Sequence, residues 1–186
     1  MMAANYPSSR NGGGDVAPFD PRLITHPALR CLYVFWHEHR AGRRLPSRAI
    51  VDPITMRKWL GNITLVDVQA SPPRFRFRLC GSSFVERIGI DPTGADLSAI
   101  PDMEYRLRIE DVFNRMVMTR EPTVSRNRRR IAGRTYDFEV LRLPLAEDGY
   151  SVSTLLVCPM YFETPPLNFA VGTGRAPEFE PPTWLE

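Results

Sequence analysis

Apolar and arginine positions alternate along Arg74-Phe75-Arg76-Phe77-Arg78-Leu79. An extended chain points successive side chains to opposite faces. The run therefore predicts a β-strand with Phe75, Phe77 and Leu79 on a buried face and the arginines on the other. Pro72-Pro73 cannot belong to a central strand and Gly81 marks a sharp exit, so both ends are punctuated. Upstream, Ile63 to Val68 reads as a partner strand. Three further strand-like runs cover Thr123 to Ala132, Thr135 to Leu145 and Tyr150 to Phe162, with turns at Gly133 and at Ala146-Glu147-Asp148-Gly149. In the run from Thr135 to Leu145 the apolar phase slips between Val140 and Leu141. A bulge or burial on both faces would each produce that slip.

The other period in the chain is helical. Pro27 suits a first helical turn and Gly42 a position just past a helix end, predicting a helix from Pro27 to Ala41. Leu29, Leu32, Tyr33 and Trp36 fall on one stripe of it and Phe35 widens the stripe. Such a stripe must bury against the sheet or against a second subunit, which makes these four residues the candidate interface. A short helix is expected from Asp52-Pro53 to Gly61, and another over Ser82 to Ile88. A longer one, capped by Asp102, carries Tyr105, Ile109, Val112, Phe113 and Met116 at helical spacing until Glu121-Pro122 ends it. Strand, strand, helices and three strands make an α+β fold. We expect a five-stranded antiparallel sheet with helices on one face and the N-terminal helix seated on the other.

Composition sets limits around this core. Residues 1–24 are expected to be a disordered arm containing Gly12-Gly13-Gly14, residues 25–162 the folded domain, and residues 163–186 a Pro-rich disordered tail. The net charge of +3 is too small to mark a nucleic-acid binder, because acidic residues are nearly as numerous as basic ones. Cys31, Cys80 and Cys158 are odd in number and far apart, which argues for a reducing compartment and against a disulfide framework or a zinc site. The N-terminus lacks a secretory signal and the apolar stretch Cys31 to Trp36 is too short to span a bilayer. A cytoplasmic protein without membrane contact is expected.

Catalytic chemistry finds little support in the residues. His26, His37 and His39 are the only histidines, and His37-Glu38-His39 does not place two histidines one helical turn apart as a metal site on a helix requires. Neither a nucleophile elbow nor a phosphate-cradling glycine loop occurs. No catalytic residue and no metal ligand is therefore expected. Arg126, Arg128, Arg129 and Arg130, together with Arg74, Arg76 and Arg78, suggest an alternative function, a basic sheet surface for nucleic acid or another polyanion. Against it, the aromatics of the 74–81 run face away from its arginines, whereas RNA-binding sheets place stacking aromatics among the charges. A solvated face, or one paired with Asp67, Asp137 and Glu139 across the sheet, is the expected arrangement.

Several ordered motifs carry a resemblance: Phe35-Trp36 with Arg40, Leu45-Pro46-Ser47-Arg48, Asp52-Pro53, Arg74 to Gly81, Gly89 to Gly94, and Leu143-Pro144-Leu145-Ala146-Glu147-Asp148-Gly149. Together they resemble a family of stand-alone bacterial PAS proteins over about residues 27–160. The resemblance implies a noncatalytic sensory or adaptor module that binds a small molecule or a protein partner and signals by contact. It implies a homodimer too, since such relatives often pair through a flanking helix. The cavity of such a fold lies between sheet and helices, and Phe77, Leu79, Val85, Ile88, Val112, Met116, Leu143 and Leu155 are the candidates to line it, or else simple core. No cofactor is expected, because the stretch from Asp102 to Thr119 holds no histidine for haem and Cys80 lacks the Asn-Cys-Arg-Phe pattern of flavin photosensors. No kinase, cyclase or DNA-binding domain fits beside the core, so a signal is expected to leave through protein contacts.

Overall fold

The hairpin and the meander read from the sequence close into one sheet. The computed structural model describes residues 19–69, 74–131 and 134–162. Strands β1 (Thr64–Gln69), β2 (Arg74–Cys80), β3 (Thr123–Ile131), β4 (Arg134–Leu145) and β5 (Thr154–Tyr161) form a five-stranded sheet in the order β2-β1-β5-β4-β3. Every neighbouring pair is antiparallel, and β5 joins the two halves by pairing with β1. The helical block between β2 and β3 comprises α2 (Ser82–Ile88) and α3 (Met103–Thr119), and Asp102 caps α3 by accepting the Tyr105 amide at 3.0 Å. The fold is α+β, as the order of elements predicts.

Two cores flank the sheet. Phe113 and Met116 of α3 pack onto Val66, Phe75, Phe77 and Leu155 on one face. On the other face α1 (Pro27–Glu38) lays Leu29, Leu32, Tyr33 and Trp36 onto Leu141, Leu143, Leu145, Leu156 and Cys158. The candidate interface residues are thus buried within their own chain. The Trp36 indole donates to the Pro144 carbonyl at 2.9 Å and the Trp59 indole to the Ala28 carbonyl at 2.9 Å, fixing α1 at both ends.

The phase slip in β4 is burial on both faces. Its register against β5 runs evenly from Phe138 to Leu145, with Val140 and Arg142 facing α3 and Leu141, Leu143 and Leu145 facing α1. β4 has neighbours on either side and a helical layer above and below, so each side-chain direction meets protein.

The register shifts instead in the hairpin, between Leu65 and Val66, where Arg78 is the extra residue on β2. An extra residue reverses the alternation beyond it. Phe75 and Phe77 face α3, but Leu79 pairs with Leu65 on the α1 side and is 43% exposed, while Cys80 takes the inward position opposite Thr64. The unbroken alternation in sequence therefore overstates the inward run by one residue.

Boundaries shift for local reasons. The helix α1 stops at Glu38 and a series of turns carries the chain to Ala41 and Gly42, both at positive φ. Asp52 does cap its segment, accepting from the Ile54 and Thr55 amides at 2.9 and 3.1 Å. From there to Asn62 the chain forms a run of turns and a 3-10 turn over Leu60–Asn62 rather than an α-helix, held by the burial of Met56 and Trp59. Of the arm expected over residues 1–24, residues 1–18 lie outside the described residues. Its last part belongs to the fold: Pro21–Leu23 is a 3-10 turn capped by Asp20, Phe19 packs on Tyr33, and Ile24 is fully buried. The Pro-rich stretch 163–186, the turn at Pro72-Pro73 and the Ala132-Gly133 turn also lie outside the described residues.

Candidate ligand cavity

Between the sheet and the helical block lies a cavity of about 560 Å³, partly open to solvent. Its floor is the α3-facing side of four strands: Thr64 and Val66 from β1, Phe77 from β2, Phe138, Val140 and Arg142 from β4, and Val157, Pro159 and Tyr161 from β5. Phe84 of α2 and Tyr105, Ile109 and Phe113 of α3 form the roof. The segment from Ile90 to Asp102 makes the mouth, and it is tied to the β2 edge, since Phe77 donates to the Ala95 carbonyl at 2.9 Å and Gly94 donates back to the Phe77 carbonyl at 2.6 Å. Six aromatic rings line this space, which gives it a largely apolar wall.

Few polar groups interrupt that wall. Arg142 is only 6% exposed and donates from Nη1 to Ser125 Oγ at 3.0 Å. Thr64 is 3% exposed, and its Oγ1 is buried without a hydrogen bond of ordinary geometry. Burial pushes the neighbouring Cys80 thiol up, while the Thr93 and Thr64 hydroxyls draw it back part of the way. Asp91, Asp96 and Asp102 sit exposed at the mouth, and hydrogen bonds from Thr93 hold the Asp91 carboxyl below its ordinary range. The cavity thus has a mainly apolar and aromatic floor that carries Arg142 and Thr64, an aromatic roof, and three exposed aspartates along the Ile90–Asp102 segment.

Among the eight residues proposed from sequence, Phe77 lies on the wall. Val112, Met116 and Leu155 pack in the adjoining α3 core, Val85 is half-buried on α2, and Leu79 is turned away by the bulge. Leu143 lies on the opposite face beneath α1. The Ile88 side chain is outside the described residues. Phe138, Val140, Arg142, Val157 and Tyr161 are among the lining residues that sequence reasoning missed, as are Val66 on β1 and Tyr105, Ile109 and Phe113 on α3. For those on β4 and β5 the signal is the spacing of two, but with both faces buried that spacing does not say which set looks into the cavity.

The arginine runs do not merge. β2 and β3 are the two edges of the sheet, with β1, β5 and β4 between them, so no continuous basic surface joins Arg74–Arg78 to Arg126–Arg130. Arg78 pairs with Asp67 at 3.1 Å and Arg128 holds Asp137 through two bonds of 2.7 and 2.9 Å. The expected pairing of Glu139 with an arginine gives way to another role. Glu139 is 1% exposed and accepts from the Thr25 amide and hydroxyl and from the His26 amide, at the entry to α1. The Arg129 and Arg130 side chains lie outside the described residues. Among the described residues no three His, Cys, Asp or Glu side chains gather as metal ligands, and no helix is long and apolar enough to cross a membrane.

Residues 24–158 match the family described as the PAS domain. No curated protein matches the sequence significantly. Among solved structures, the chain is similar to the PAS domain of BvgS from Bordetella pertussis, at 14% identity over 59% of this chain and 82% of that one, with a TM-score of 0.48. It is similar to a dimer of VqmA from Vibrio cholerae at 11% identity, over 59% of this chain and 50% of that one, with a TM-score of 0.48. A light-oxygen-voltage domain matches at 13% identity over 62% of this chain and 89% of that one, with a TM-score of 0.45. The match spans half the length of the VqmA chain.

Proposed function

The chain belongs to the PAS domain family, and from that premise we propose that it is a noncatalytic cytoplasmic sensor or adaptor. It holds a small, mainly apolar molecule in the cavity between the sheet and α2–α3. Occupancy of the cavity biases the packing of the helical block and the Ile90–Asp102 rim, and a protein partner reads that change by contact. The observation that carries this reading is the cavity itself: about 560 Å³, within the range of ordinary small-molecule sites, walled by aromatic rings with few polar groups. A homodimer, which family resemblance implies, would have to form without Leu29, Leu32, Tyr33 and Trp36, since the chain buries them itself.

Native mass spectrometry of the purified protein tests the reading. Val157 lies on the cavity floor, so Val157→Phe fills the space at a strain of about 1–3 kcal/mol. A bound mass in the natural chain that is absent from a folded Val157→Phe variant is the expected result. Bare mass for both proteins, with no small molecule raising the melting temperature of the natural chain, would sink the proposal.

A further inference from the structure

We propose that the β3 edge of the sheet is a docking site for an extended acidic segment of a partner protein, which adds to it as a sixth strand. This goes beyond the cavity reading and does not depend on it. One edge of the sheet is already covered: on β2, Phe77 bonds through its backbone to Gly94 and Ala95, and Asp96 bridges to Arg76. The other edge is β3. In an antiparallel ladder, residues that face each other alternate between exchanging both backbone bonds and turning their backbone groups apart. Asp137 of β4 gives its carbonyl to the Phe162 amide at 2.9 Å, on the β5 side. Arg128, opposite Asp137, therefore turns its own N–H and C=O outward, and the alternation does the same for Arg126 and Val124. Among the described residues no hydrogen bond from another element reaches those outward groups, which leaves an open template for a further strand.

Charge decides which strand such an edge accepts. β3 carries Arg126, Arg128, Arg129 and Arg130 and no acidic residue. Arg128 is held by Asp137, but Glu139, which stands opposite Arg126, is turned to Thr25 and His26 instead. Arg126 is exposed and lies over the Phe162 ring at 4.5 Å, with no carboxylate at ion-pair distance among the described residues. A second copy of this chain would bring its own arginine-rich β3 against this one, and like charges directly opposite are destabilising. An acidic strand gains from the same charges. Its residues opposite Arg126 and Arg128 share their face of the sheet, about 5 Å away, within reach of the guanidinium groups. Main-chain bonds then supply affinity, and carboxylates at every second position supply specificity.

The probe is an end-blocked heptapeptide, Val-Glu-Val-Glu-Val-Glu-Val, titrated calorimetrically against the full chain. Its lysine counterpart should bind at least about tenfold more weakly. Methylating the glutamate amides, which face β3 in an antiparallel pairing, should abolish binding, whereas methylating the valine amides, which face away, should leave it within about threefold. Arg126→Glu should weaken the glutamate peptide by about tenfold and strengthen the lysine one. Arg128→Pro removes an outward donor only, so it should bind less than Arg128→Gln yet keep a cooperative melt. The methylated peptides carry the test if Arg128→Pro does not fold. A glutamate-methylated peptide that binds as tightly as its parent means that charge alone is read, as on a polyanion surface, and overturns the inference. Binding of neither peptide overturns it. So does a dimer that the peptide splits, which gives the edge to a second copy, or binding seen only after Glu178→Lys and Glu180→Lys, which gives it to the chain's own tail. None of these outcomes touches the cavity reading, whose test is the bound mass.

Discussion

At the scale of single residues, position in space decides what a residue type alone does not. Gly81 reads as a strand exit, yet its φ of −66° is open to any residue. What it needs is room: a Cβ there would run into the Gly61 and Leu60 carbonyl oxygens of the preceding turn. Gly61 faces Ser83 Oγ instead, a side chain that can swing away. Gly81→Ala should therefore cost about 1–3 kcal/mol in a denaturant melt, whereas Gly61→Ala should lie within about 1 kcal/mol of neutral. Equal losses would refute the close approach. His26 is a second case. Its Nδ1 accepts the Ala28 amide at 3.2 Å, capping α1, and burial depresses its pKa although the Glu139 carboxylate and the Tyr161 backbone pull the other way. A depressed histidine binds fewer protons when folded than when unfolded. Its contribution is therefore complete above the unfolded value of about 6.5 and is lost as pH falls below it. His37 is depressed by burial and by Arg40, with the same sign. The melting temperature should drop from about pH 7.5 to 5.5, and His26→Asn, which keeps a capping oxygen, should remove the His26 share. An unchanged slope in that variant would show that the cap does not titrate.

At the scale of elements, α1 is held by more than its apolar stripe. The Glu139 carboxylate reaches up from β4 to the N-terminal end of the helix, where it meets the positive end of the helix dipole and satisfies the Thr25 and His26 amides. Removing that charge with Glu139→Gln loses bonds worth about 1.5–3 kcal/mol each when made to an ionised group. The loss should concentrate at α1. Hydrogen exchange of the amides from Leu29 to Trp36 should accelerate well before those of β1 and β5. Uniform acceleration throughout the sheet would mean that α1 and the sheet open as one unit. Exchange in β4 carries complementary information, since Val140 and Leu141 are guarded by different layers.

At the scale of the whole molecule, the sheet is a shared floor: α1 closes one side, and α2, α3 and the cavity occupy the other. α1 supplies four buried side chains to the first core, so truncating residues 1–42 should abolish the cooperative thermal transition rather than release a stable monomer. Circular dichroism melts decide this directly. A truncated chain with the native transition would return the helix to the role of a separable interface. Strands β1 and β5 belong to both cores, with Leu65 and Leu156 in one and Val66 and Leu155 in the other.

The sequence by itself determined the elements and their order, because period and punctuation are local: a spacing of two in Arg74–Phe77, a helical spacing in Leu29–Trp36, proline and glycine at the breaks. The ordered motifs extended this to the family. The tertiary structure alone decided which side of each strand meets which layer. The bulge at Arg78 moves Leu79 out and Cys80 in, and no residue type in that run announces it. β4 is apolar in both directions, so Leu143 and Val140 look alike in sequence although they lie on opposite sides of the sheet. Strand order separated the arginine runs, and register brought Thr64, Val157 and Arg142 into one row. That row depends on pairings such as Thr64 with Val157, far apart in the chain, and the energy that fixes them comes from partners a local pattern does not contain.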